Sequence, residues 1–212
     1  MLVYATLPKV TVTKKGIEKK KEIYVLSLAS DTHGESNHRA LAVGASNETL
    51  KNVSTDIEAA MKFVVMSVSN VFTGITAKQP LSLSGDGIVL YPPNDPKGML
   101  ALHFVIVESD HGKRNAGRLL DQVFGDKDVK SLLGEFAKLT AATGNIPVSL
   151  LTSLFGAVTS LIPKILAANR DDLLFSHNHS GVEFNSYNAS PEGTEFAVGN
   201  DKAGAILKLW AR

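Results

Sequence analysis

The apolar pattern of this chain changes period twice, and that order constrains the fold more than any single motif. β-type patterning comes first. It covers the alternating Lys9–Thr13, the apolar run 23–30, the short runs at 81–83 and 88–91 around Gly85-Asp86-Gly87, and the long run 99–107. Residues 61–72 are rich in β-branched side chains and are read as a strand. From Arg118 to Leu139 the spacing becomes helical, at Leu119, Leu120, Val123 and Phe124 and then Val129, Leu132, Leu133, Phe136 and Leu139. Gly125 breaks this block, and Asp126 is placed to cap the second segment. A third helix is predicted over 147–168, with Pro163 as a kink. Short β-like pieces return at 173–175, 181–184, 195–198 and 205–210.

Strands, a helical block and strands again fit a closed antiparallel sheet system better than βαβ alternation. The expectation is an α+β, mainly β fold. It is an antiparallel β-sandwich in one domain spanning 1–212, with an insertion of about three helices near 115–170. Strands after Arg170 should pair with strands before residue 108, because each set alone is too small for a stable sheet. Tyr91-Pro92-Pro93-Asn94-Asp95-Pro96-Lys97-Gly98 reads as a rigid turn.

Composition narrows the function classes. The chain has 22 basic and 21 acidic residues in 212 and a net charge of +1, so it lacks the basic excess of a nucleic-acid binder. It has no cysteine, which removes disulfides, thiolate nucleophiles and Cys-ligated zinc. The first residues lack the pattern of a signal peptide, and the expected location is cytoplasmic when made, with leaderless export left open. The basic run 14–21 reads as a solvated hairpin loop or an anionic-surface patch.

One motif occurs twice. An apolar run ends in Ser30-Asp31 and leads to His33-Gly34. A second ends in Glu108-Ser109-Asp110 and leads to His111-Gly112. Acids just past strand ends can supply oxygens to a hard cation, and Asp31, Glu108, Asp110, Asp171 and Asp172 are the candidate calcium ligands. Asp31 and Asp110 lead, since each follows a buried run. The same acids are also ordinary turn formers. An alternative metal set is His33, Asp86, His177 and His179. His177-Asn178-His179 reads as an exposed loop, though on a strand both imidazoles would share one face. His103 lies inside an apolar run and reads as a satisfied buried histidine.

Two resemblances follow from these residues. The acidic strand ends, the proline-rich connection and the helical interruption resemble a C2-like β-sandwich, although the close Asp-x-Asp loop of that family is missing. The resemblance implies calcium held by loop acids and docking to a membrane or a protein. Ser30-Asp31-Thr32-His33-Gly34, Gly85-Asp86 and Ser176-His177-Asn178-His179 resemble elements of calcineurin-like metallophosphoesterases. That resemblance implies a two-metal phosphoesterase, but the family's Gly-Asn-His element is absent.

The helix at 147–168 carries a wide apolar stripe that includes Leu154, Phe155, Val158, Leu161 and Ile162, with a thin Ser, Thr and Gly face. It reads as a docked core helix, or as a membrane-active or partner-binding helix. The functional expectation is a non-catalytic binding or assembly module with a protein partner or membrane surface. Calcium is its candidate cofactor. Alternatives are the metal-dependent phosphoesterase and membrane activity through this helix.

Overall fold

The computed structural model describes residues 1–13, 21–32, 64–96, 98–109, 122–143, 147–169 and 171–212. Among these residues, ten strands form two five-stranded antiparallel sheets. The first joins β1 (Val3–Val12), β5 (Pro80–Ser82), β6 (Ile88–Asn94), β9 (Thr194–Gly199) and β10 (Ala203–Ala211), in the order β5-β1-β10-β9 with β6 also on β1. The second joins β2 (Lys21–Asp31), β3 (Val64–Val68), β4 (Phe72–Ile75), β7 (Met99–Glu108) and β8 (Asp172–Val182), in the order β3-β2-β7-β8 with β4 also on β2. Strands that follow the helical block do pair with strands that precede it, β8 with β7 and β10 with β1.

Two apolar layers result. Alternate residues of β2 and β7 (Ile23, Val25, Leu100, Leu102, Phe104 and Ile106) face the other sheet and meet Val3, Leu7, Leu207 and Leu209. The intervening residues, among them Tyr24, Leu26, Leu28, Ala101 and Val105, face helices. Those helices are α1 (Lys127–Thr143) and α2 (Val148–Asn169), preceded by a helical turn at 122–125. The layers therefore run sheet, sheet, helices. Period-2 side-chain alternation gives the middle sheet two buried faces, so its strands read as continuous apolar runs.

Local signals explain most boundaries. Asp126 Oδ1 accepts the backbone N–H groups of Asp128 and Val129 at 2.9 and 3.2 Å, capping α1 as its position predicts. Gly87 turns the chain into β6 at φ +86°, where a Cβ would lie 2.2 Å from the Leu7 carbonyl oxygen. Two expectations need correction. Pro92 and Pro93 lie inside β6, not in a turn. Among the described residues that strand pairs only with β1, and a missing N–H is tolerated on the open side of an edge strand. The pieces at 173–175 and 181–184 belong largely to one strand, β8, which includes His177-Asn178-His179. Full cross-strand pairing with β7 overrides the polar, loop-like composition there.

Candidate functional site

Of the described acids singled out above, Asp31 lies apart from Glu108, Asp171 and Asp172. β2 and β7 run antiparallel, so the end of one lies beside the start of the other. Asp31 pairs with Leu100 and Glu108 with Ile23. The eight residue-to-residue steps from Ile23 to Asp31 separate these ends by roughly 26 Å of strand. Glu108 does lie opposite Asp172 and near Asp171. Asp110 and His33 fall outside the described residues. Among the described residues, no three His, Asp or Glu side chains are grouped for a metal ion.

The two buried acids are engaged by tyrosines. Asp31 Oδ2 accepts the Tyr91 hydroxyl at 2.7 Å and the Asn94 amide at 3.4 Å, which ties the end of β2 to β6 in the facing sheet. Asp171 accepts the Tyr24 hydroxyl at 3.1 Å, which ties the end of α2 to β2. Burial, reinforced by the neighbouring carboxylate, pushes both phenols far above their ordinary range. Buried acids with phenol donors are the usual solution to an expensive burial.

The histidines form a row. His177 and His179 point between the sheets at the β8 edge, with ring centroids 6.4 Å apart. Phe104 and Phe175 flank His177 at 5.6 and 6.2 Å, and Phe196 of β9 covers His179 at 5.0 Å. Asp86 sits in the β5–β6 turn, beside β1 and at the other edge of the sandwich. His103 is buried on the helix-facing side, and Asn178 lies opposite it in register. His103 Nδ1 and Asn178 Oδ1 are 2.7 Å apart. The Nε2 atoms of all three imidazoles are buried without a hydrogen-bond partner. Desolvation holds all three pKa values below the ordinary histidine range. The Asn178 bond opposes this at His103, and the His177 charge adds to it at His179.

α2 meets the length and composition of a membrane-crossing segment. In this fold Leu154, Phe155, Val158 and Ile162 are buried and Leu161 is half-buried, packed against the helix-facing side of the middle sheet. The apolar stripe is thus the docking face of the helix. Pro163 lies on its exposed side.

The middle sheet changes character at β8. Its helix-facing residues there are Ser176, Asn178 and Ser180, all exposed. α2 seals the apolar neighbours but leaves this polar edge open, and a cleft of about 450 Å³ lies between them. Met99, Ala101, Leu151 and Phe155 give it apolar walls. Thr152, Thr159, Ser160, Asn178 and Ser180 give it hydroxyl and amide groups. Among the described residues, no lining side chain carries a carboxylate, ammonium or guanidinium. That volume is in the range of small-molecule sites.

In the sequence, the face of α2 that holds Thr152, Thr159 and Ser160 reads only as a thin Ser, Thr and Gly side, and the cleft is not visible. The available signal was the switch from apolar to Ser and Asn on one face of β8, which is visible only once 176–180 is known to be a strand. Comparison with known protein families, characterised proteins and solved structures finds no match in any of the three.

Proposed function

We propose that this protein is a non-catalytic binding module that takes its ligand into the cleft between α2 and β8. The observation that carries the reading is the lining: an apolar interior with a few hydroxyl and amide groups, open to solvent. Asp31 and Glu108 stand at opposite ends of the sheet, so the proposed binding role does not draw on them as one site. The C2-like resemblance is one of sheets and insertion only. Docking to a protein or membrane surface enters as the source of the bound group.

Gly156 provides the test. It lines the cleft, and a Cβ added there meets nothing within 4 Å. Gly156→Leu therefore fills the cleft without a clash at its root, and replacing a helix glycine favours the fold. Nile red, a neutral polarity probe, should bind the wild type saturably with a blue-shifted emission. It should lose that signal with Gly156→Leu while the melting temperature holds or rises. Absence of binding to the wild type, or equal binding to both proteins, overturns the proposal.

A further inference from the structure

We infer that Asn178 is the specificity-determining residue of this cleft, and that its ligand is an uncharged, largely apolar molecule carrying an oxygen that accepts a hydrogen bond. The inference rests on the cleft being a ligand site and adds which chemistry it selects.

The geometry begins with His103. Its ring lies under the helix layer, 1% exposed, and its Nδ1 is 2.7 Å from Asn178 Oδ1. A carbonyl oxygen only accepts, so Nδ1 carries the proton and Nε2 keeps a bare lone pair. The opposite arrangement, with the Asn178 amide nitrogen donating to Nδ1, would put the proton on Nε2. That atom is buried with no partner, and an orphaned buried N–H is the rarer defect. The histidine therefore fixes the amide orientation. Asn178 Oδ1 is occupied, and its Nδ2 makes no hydrogen bond among the described residues. Asn178 is exposed on the cleft wall, so the group left to meet a ligand is an amide with two N–H donors.

The rest of the lining defines the remainder of the ligand. Met99, Ala101, Leu151 and Phe155 accept apolar surface. A carboxylate ligand would find no cation among the described lining residues, and an ammonium no anion. Taking either out of water uncompensated is costly. His179 lines the cleft by its place in β8, but its imidazole packs on Phe196 between the sheets, so it brings no charge to the ligand. A ketone, ester or alcohol oxygen on an apolar tail matches the wall in both parts.

Three probes of equal tail length test this, each displacing Nile red from the full chain: 2-nonanone, nonane and nonanoate. The ketone should displace the dye on the order of 3- to 10-fold better than nonane, the worth of one net hydrogen bond. Nonanoate should be weakest. Asn178→Asp removes both N–H donors at nearly constant shape and should erase the ketone's advantage, as should Asn178→Ala. His103→Gln retains a side-chain N–H and should keep the advantage, whereas His103→Leu should lose it with nonane affinity unchanged. Melting curves establish that each variant is folded. If the dye binds but ketone and nonane compete equally, or if Asn178→Asp keeps the preference, the inference fails while the cleft remains a ligand site. If the dye does not bind, the cleft reading fails and takes this inference with it.

Discussion

Strands β7 and β10 are both rich in apolar residues, yet they hold them differently. β7 is buried along nearly its whole length, whereas β10 alternates buried and half-buried positions from Ala203 to Ala211. The cause is their place in the layers. β7 lies in the middle sheet, with the facing sheet on one side and α2 on the other. β10 lies in the outer sheet and, among the described residues, is covered on one face only. A continuous apolar strand therefore demands a second covering layer, and the helical block supplies it. The comparison also explains the cleft. Coverage of the second face ends at β8, where the sheet itself turns polar.

The comparison can be broken most directly at its two apolar layers. Leu102 lies between the sheets and Leu154 between α2 and the middle sheet, each about 1% exposed. Truncating either to Ala should cost about 2–5 kcal/mol, from lost transfer energy plus a residual cavity. Leu102→Ala should cost more. Paired strands on both sides hold its cavity open, while α2 can shift to close the other. Urea unfolding measures both. A loss below about 0.5 kcal/mol for Leu154→Ala would mean that the helix layer contributes little to the fold, and the three-layer account would fall.

Acid should act on the β8 edge next. The folded pKa values of His103, His177 and His179 are all lowered by desolvation. Above the unfolded-state value of about 6.5 both states are neutral and stability is full. As pH falls below it, the unfolded chain takes up protons that the folded chain refuses, so stability declines until the folded values are passed. Melting temperature should therefore drop between pH 8 and pH 5.5. The effect should be smaller than that of the core truncations, because His177 and His179 are half-buried and water screens part of their charge. Replacing both with Phe continues the aromatic row and should flatten the profile. A double variant with the wild-type slope would show that the β8 imidazoles do not set the acid response.

Signals that act locally were legible in the sequence. The Asp126 cap, the helical stripe from Leu150 to Leu166 and the run at 99–107 each depend on neighbours within a few positions, and each appears where the pattern places it. Signals decided by pairing were not. Pro92 and Pro93 resemble a turn until the pairing of Tyr91 and Asn94 with β1 carries them, at a register shift, through an edge strand. His177-Asn178-His179 resembles a loop until ten register pairs tie β8 to β7. Asp31 and Glu108 resemble members of one site because both follow apolar runs. Antiparallel pairing of those runs sends them to opposite ends. The cleft was the least legible feature, since it is made by what α2 fails to cover.

The smallest expected effect sharpens the comparison from the helix side. Gly134 lies inside α1, and a Cβ built there meets nothing within 4 Å. Its neighbour Leu133 is buried in the helix-facing core, so α1 is already oriented by that stripe. An added methyl at 134 enters open space and leaves the packing unchanged. It reduces the backbone freedom of the unfolded chain and removes the helix penalty of glycine, a gain of about 0.5–1 kcal/mol. Gly134→Ala should therefore raise the urea midpoint slightly with an unchanged slope. A loss of stability would mean that the outer side of α1 is packed against another part of the chain. The helix layer would then be covered on two faces, as β7 is, and would no longer be the open side of the molecule.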